Sequence, residues 1–253
     1  MVKPSHSEPK RGVTFGDLHL LAGRHAFMAG REWQTRWRED YDLCVLNGDI
    51  FDFRWARQMH PEEALAAARS WLEDLLQPVG RARFIVIMGN HDALPAYHAL
   101  LDELMAENAH LRWAEHWVRV GDKVFFHGDF PDETGTVESL RHARIQHGHG
   151  PRPGRGKRAL YWLATRSGVT GSVPRALPWR RYCERSARFL GRELGSDFDE
   201  VRDVFLGHTH VYFRDLELGG RRFHNSGAPL PGATFKPIEF AFTDREWARL
   251  ATG

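Results

Sequence analysis

The chain has 253 residues, 42% hydrophobic and 27% charged, with 35 Lys and Arg against 33 Asp and Glu. This balance excludes a disordered, collagenous or coiled-coil chain, and no apolar run reaches the roughly 18–20 residues that a membrane span needs. Met1 to Arg11 is polar, and two cysteines, Cys44 and Cys183, are too few for a disulfide scaffold. The expectation is a chain without a signal peptide in a reducing, cytoplasmic compartment.

Val13-Thr14-Phe15 is a short apolar run that ends in Gly16-Asp17-Leu18-His19. Asp42 to Leu46 ends in Asn47-Gly48-Asp49, and Arg83 to Met88 ends in Gly89-Asn90-His91-Asp92. Runs of this length, rich in β-branched and aromatic residues and closed by Gly, Asn or Asp, read as buried strands. Helices are expected between them. One opens at Pro61-Glu62-Glu63, with Pro in the first turn and acids at the positive end of the dipole, and continues to about Leu76. Another runs from about Pro95 to Glu107, with Leu100, Leu101, Leu104 and Met105 at helical spacing. This alternation predicts a layered α/β fold with crossover connections.

The second half is richer in hairpins. Trp117–Val120 and Lys123–Phe126 flank a Gly-Asp turn and lead into His127-Gly128-Asp129. Val204-Phe205-Leu206 leads into Gly207-His208-Thr209-His210, and a further hairpin spans Val211 to Asn225 around Gly219-Gly220. A second sheet against the first is therefore expected. Between Asp129 and Asp203 no strand signal occurs; 157–167 and 178–194 read as helices, and 147–156, rich in Gly, Pro and Arg, reads as a loop. The expected organisation is a core of 12–130 and 200–250 with an inserted helical cap at 131–199. The cap is strongly basic: residues 152–192 hold eleven basic side chains and one acidic one, Glu184, in a chain of net charge +2.

The strand ends deliver Asp17 and His19; Asp49; Asn90 and His91; His127; and His208 and His210. In open α/β sheets ligands bind beyond the carboxyl ends of strands. Asp-Leu-His alone is weak and Gly-Asn-His-Asp alone could be a turn, because a histidine after a strand is more often a hydrogen-bonded surface group than a ligand; Gly-His-Thr-His is more specific, since it sets two imidazoles two residues apart. The recurrence of such endings after strand after strand is harder to explain as turns. These oxygen and nitrogen donors, with no thiolate, suit divalent transition metals. They suffice for two metals sharing a carboxylate, a pair that can clamp a phosphoryl group and generate a hydroxide nucleophile at neutral pH.

Taken together, Gly16-Asp17-Leu18-His19, Gly48-Asp49-Ile50-Phe51-Asp52, Gly89-Asn90-His91-Asp92, His127-Gly128-Asp129 and Gly207-His208-Thr209-His210 resemble the motif set of the calcineurin-like metallophosphoesterases. Asn225-Ser226-Gly227 also looks like the family's late turn, without its Pro. The resemblance implies a four-layer α/β/β/α sandwich and a dinuclear site, with manganese as the leading occupant and iron, zinc or cobalt as alternatives. By that resemblance Asp17, His19, Asp49 and His210 would hold one metal, and Asp49, Asn90, His127 and His208 the other. His91 would act beside the metals as leaving-group acid or transition-state donor, and Asp92 would orient His91. Asp52 and Asp129 are explained equally well by capping or loop bonding.

The family acts on phosphomonoesters, phosphodiesters and pyrophosphates. The Asp-Leu-His-Leu start, the Gly-Asp-Ile-Phe-Asp-Phe segment and the helical insertion look like its UDP-2,3-diacylglucosamine diphosphatase branch, which serves lipid A synthesis. That implies a lipid-linked nucleotide as substrate and peripheral contact of the basic cap with the inner membrane. Arg158, Arg166, Arg181 and Trp162 are the candidate substrate-binding residues of the cap. Better-known members of the branch have Arg where this chain has His91. The alternatives are a phosphodiesterase or phosphomonoesterase acting on a soluble nucleotide or other small phosphoester, a nucleic-acid-binding protein using the basic cap, and an inactive scaffold. No nucleic-acid module is recognisable, and every ligand position is filled, so the last two are disfavoured.

Overall fold

The computed structural model describes residues 8–22, 31–56, 60–77, 82–130, 135–149 and 179–253, with Gly154 and Gly156. Among them, β1 (Lys10–Phe15), β2 (Leu43–Asn47), β3 (Arg83–Ile87) and β4 (Leu111–Ala114) form a parallel sheet, and β10 (Ile238–Phe242) pairs antiparallel with β1. The second sheet has the order β11-β5-β6-β7-β9-β8, from β5 (Trp117–Val120), β6 (Lys123–Phe126), β7 (Asp203–Leu206), β8 (Tyr212–Leu218), β9 (Arg221–Ser226) and β11 (Ala251–Thr252).

Strand alternation sorts side chains between two apolar layers. Leu43 and Val45 of β2, with Ile85 and Ile87 of β3, point toward the second sheet and meet Val118, Val120, Phe125 and Phe205. Their neighbours Cys44, Leu46, Phe84 and Val86 point the other way. There they meet α2 (Pro61–Leu76) through Ala64, Ala68, Leu72 and Leu75, and α3 (Pro95–Glu107) through Leu100, Leu101 and Leu104. Burial on both faces is why the parallel strands read as continuous apolar runs. Trp37 of α1 (Arg31–Asp40) completes this layer, stacking on Phe15 with ring centroids 4.1 Å apart.

The outer face of the second sheet is closed by α4 (Val137–His149) and α5 (Trp179–Leu194). Val124, Phe126, Val204, Leu206 and Phe223 share one cluster with Leu140 of α4 and with Cys183, Phe189 and Leu190 of α5. These helices thus supply the fourth layer of the expected α/β/β/α sandwich. The segment read as a cap, 131–199, therefore contributes at least these two helices to the body of the fold. The cause is the apolar stripe of α5, whose positions 183, 186, 189 and 190 are buried while Arg181, Glu184 and Arg188 are exposed.

The helix expected at 178–194 is α5, whereas 157–167 lies outside the described residues. The loop expected at 147–156 is corrected at its start, because α4 continues through His149. Gly148 lets the helix approach the body: a Cβ there would come within 2.9 Å of the Leu94 side chain. Strands β4, β10 and β11 and helices α1 and α4 were not anticipated. Among the described residues no helix is long and apolar enough to cross a membrane.

Candidate metal centre

The two sheets bring their strand ends to one edge through register. Phe15 pairs with Leu46 and Leu46 with Val86, so β1, β2 and β3 release Asp17, Asp49 and Asn90 side by side. In the facing sheet Phe125 pairs with Phe205, which puts His127 beside Gly207. Backbone bonds then zip the loops together: Asp17 N donates to Gly48 O at 3.0 Å, His19 N to Asp49 O at 2.9 Å and Gly207 N to His127 O at 3.0 Å. Asn225 braces the last loop, its amide donating to Gly207 O at 2.8 Å.

The backbone at this edge is unusual. Asp17, His19, Asp49, His208 and His210 all have positive φ, between 47° and 65°, a left-handed region that non-glycine residues enter at a cost of about 1–3 kcal/mol. At two neighbouring glycines a side chain would clash outright. A Cβ at Gly48 would strike the His127 ring, and one at Gly89 would strike the Asp49 carboxylate.

The side chains form two adjoining clusters of possible metal donors, Asp17, His19 and His210, and Asp49, His127 and His208, with a third group of His19, Asp52 and His91 beside them. Asp17, His19, Asp49 and His127 are essentially fully buried. His19 Nε2 lies 3.0 Å from His210 Nε2, and His127 Nε2 lies 3.3 Å from Asp49 Oδ2. His208 Nδ1 and Asn90 Oδ1 are 3.1 Å apart.

This arrangement fits divalent cations. His127 Nδ1 is 3.0 Å from the Asn47 carbonyl, an acceptor, so that nitrogen carries the proton. A neutral His127 then turns a lone pair at Nε2, a buried atom without a hydrogen-bond partner among the described residues, toward the Asp49 carboxylate. Two acceptors facing each other in a buried site are repulsive until a cation lies between them. Burial also pulls the imidazoles of His19 and His208 down to about 4, keeping them neutral and able to ligate. Without a cation His127 answers the same conflict by holding a proton: burial opposes its charge, but Asp49 outweighs burial and raises the ring to about 10. Burial likewise works against ionisation of Asp17 and Asp49, yet the hydrogen bond and charge of His210 hold the first below its ordinary value. The charges of His127 and His91 hold the second well below.

Asp92 does not occupy the place expected for it. Its carboxylate accepts from Gly89 N at 2.7 Å and from Ile50 N at 2.8 Å, tying the β3 loop to the β2 loop. Burial, with the charge of Asp49, pushes it up to about 7. The carboxylate beside His91 is Asp52, with Oδ1 3.1 Å from His91 Nδ1 and Oδ2 3.6 Å from His19 Nδ1. Burial resists its ionisation, but the charge of His91 and the contacts of both rings hold it far below the usual range. Asp129 forms a buried double contact with Arg144 of α4, at 2.6 and 2.7 Å. Arg158, Arg166 and Trp162 lie outside the described residues, and Arg181 is exposed on the face of α5 turned away from the sheet.

Two residues near the site escaped the sequence reading. His147 of α4 packs its ring 4.8 Å from that of His91, and Arg54, in the loop after β2, donates to His147 Nδ1 at 3.2 Å. Burial, then the charges of His91 and Arg54, lower the His147 ring. The sequence places His147 in a Gly- and Pro-rich stretch that reads as a loop, and no periodicity links it to residues that precede it by more than fifty positions.

The family model for calcineurin-like phosphoesterases matches residues 13–212, and the chain belongs to that family. It is accordingly a metal-dependent phosphoester hydrolase, acting on a phosphorylated substrate. No curated protein matches the chain.

Proposed function

We propose that the protein hydrolyses a pyrophosphate or phosphodiester with two divalent cations, manganese first among them. Asp17, His19, Asp49 and His210 hold one cation; Asp49, Asn90, His127 and His208 hold the other, so Asp49 is shared. The observation that carries this reading is the buried approach of His127 Nε2 to Asp49 Oδ2 at 3.3 Å, where a cation can replace the proton. Bound there, the cations supply Lewis-acid polarisation of the phosphoryl group and a water acidic enough to attack near neutral pH.

The chain's own groups do the rest. Asp52 holds the Nδ1 side of His91 and favours its protonated form, leaving Nε2–H to donate to the departing oxygen. Asp92 fixes the loop that carries Asn90 and His91. The expected roles thus divide, with His91 acting on substrate and Asp92 positioning the backbone beneath it. The direct test is metal content by plasma mass spectrometry together with hydrolysis of an aryl phosphodiester. Two bound equivalents and manganese-stimulated release are expected; a protein that binds no transition metal overturns the reading.

For the substrate we propose UDP-2,3-diacylglucosamine, cleaved at its pyrophosphate at the cytoplasmic face of the inner membrane. The support is the basic, aromatic-containing stretch 152–192, net charge +10, whose Arg158, Arg166, Arg181 and Trp162 suit phosphate and acyl chains. UMP release with manganese, compared with UDP-glucose and a soluble aryl phosphodiester, tests it. A strong preference for the acylated compound is expected. Equal or faster turnover of the soluble compounds instead assigns the site to a soluble nucleotide or other small phosphoester.

A further inference from the structure

We propose that Arg54 and His147 form an oxyanion subsite for a second phosphoryl group, the one bonded to the phosphoryl group under attack. The inference rests on the hydrolase reading above and adds to it the residues that recognise a pyrophosphate.

The argument begins with the hydrogen bond at 3.2 Å between Arg54 Nη1 and His147 Nδ1. A guanidinium has donors only, so Nδ1 of His147 accepts and the neutral ring carries its proton on Nε2. That Nε2–H faces Asn90 Nδ2 at 3.5 Å. The Asn90 amide is oriented by its other end, where Oδ1 lies 3.1 Å from His208 Nδ1. Two donors thus meet beside the metal centre with no acceptor between them among the described residues. Arg54, on the other edge of the His147 ring, adds a fixed positive charge and a buried Nε without a hydrogen-bond partner among the described residues. Neighbouring donors lacking an acceptor, beside a fixed positive charge, are the complement of a phosphate oxygen.

The location identifies which phosphate. The His147 ring is 4.8 Å from that of His91, and the His91 ring is 4.7 Å from that of His19. His147 therefore stands against the proposed leaving-group donor on one side and against Asn90 on another. An anion bound there would adjoin the oxygen that His91 protonates, which fits a phosphoryl group carried by the leaving group. A pyrophosphate supplies one, whereas a monoester of a neutral alcohol does not.

The subsite is held rigidly by an element that the sequence motifs already implicated. Arg144 precedes His147 by three residues on α4, is 2% exposed, and grips the Asp129 carboxylate at 2.6 and 2.7 Å. Asp129 in turn follows His127 at the end of β6. The His-Gly-Asp segment thus offers a metal donor with its His and fixes the helix bearing the subsite with its Asp.

The test measures UDP and UMP affinities by calorimetry on the manganese-loaded protein, with hydrolysis of bis-p-nitrophenyl phosphate followed in parallel. His147→Phe keeps the ring volume and removes the donor, and His147→Gln restores an N–H. Losing a hydrogen bond to a charged group costs about ten- to hundredfold in affinity. The UDP-to-UMP affinity ratio is expected to fall by roughly that factor in His147→Phe and in Arg54→Gln, and to recover in His147→Gln. An unchanged ratio in both variants, with a wild type that hydrolyses the aryl diester, overturns the subsite alone. A wild type that hydrolyses no phosphoester overturns the catalytic reading beneath it.

Discussion

Asp52 Oδ1 lies 3.1 Å from Nδ1 of His91, while both oxygens of the adjacent Asp92 are bonded to backbone N–H groups. The two acids therefore separate in experiment. His91→Ala is expected to lower kcat by ~10²–10⁴, the range of a general acid, with metal content intact. Asp52→Asn should lower kcat in the same direction and flatten its pH profile. Asp92→Ala should instead lower the melting temperature, because removing the acceptor strands two buried donors at about 1–3 kcal/mol each. A kinetic loss in Asp92→Ala without a thermal one would return the orienting role to that residue.

Asp49 touches both donor clusters, within 3.3 Å of His127 Nε2 and 3.9 Å of His19 Nε2. Asp49→Ala is expected to remove both cations and essentially all turnover. Plasma mass spectrometry of the purified variant checks it, and retention of two equivalents of metal would show that the carboxylate is not shared.

Arg144 is 2% exposed and depends on Asp129 for its charge balance. Asp129→Ala leaves a buried cation unpaired, a loss of about 3–5 kcal/mol. For a domain of this size that corresponds to roughly 6–20 °C in melting temperature. Replacing both partners with apolar residues should recover much of the loss, which a double-mutant cycle measures.

Asp203 meets His224 at 3.0 Å and Arg222 at 2.8 Å. Burial raises the carboxyl, but the hydrogen bonds from His224 and Arg222 outweigh burial and leave it below its ordinary value. A folded value below the unfolded one means the stabilisation is fully present above about pH 3.9 and is lost as pH falls through the folded value. Urea unfolding of Asp203→Asn should show a deficit at pH 7 that shrinks toward pH 3. A deficit independent of pH would mean that the carboxylate's charge is not what stabilises the fold.

Burial pushes the thiol of Cys183 up to about 12 and that of Cys44 higher still. Both should resist a disulfide reagent at pH 8 in the native protein and react in denaturant. Rapid labelling of the native chain would place one of them at the surface.

The architecture was legible wherever a strand ran into a motif, because β1, β2, β3, β6 and β7 are apolar runs closed by chemically distinctive residues. Helices α2 and α3 were legible from their Pro starts and leucine spacing. Strand β4, Leu-Arg-Trp-Ala, was not, since so short a segment with a polar member resembles a loop. Helix α4 was hidden for a physical reason: its buried face is made by Leu140 and Arg144, and an arginine counts as polar until Asp129 is known to face it. The partner of His91 was hidden as well. Asp92 is adjacent in sequence, but only the path of the β2 loop brings Asp52 to the ring.

The left-handed backbone of Asp17, His19, Asp49, His208 and His210 sets stability and function against each other at the same positions. Glycine enters that region without the steric penalty of a side chain, so a library sorted for heat resistance alone should enrich Gly at these sites while discarding the donors. Natural sequences under weak demand for catalysis should drift the same way. A member of this fold with glycines in place of these residues would then have a simple history: selection for hydrolysis lapsed, and the backbone relaxed.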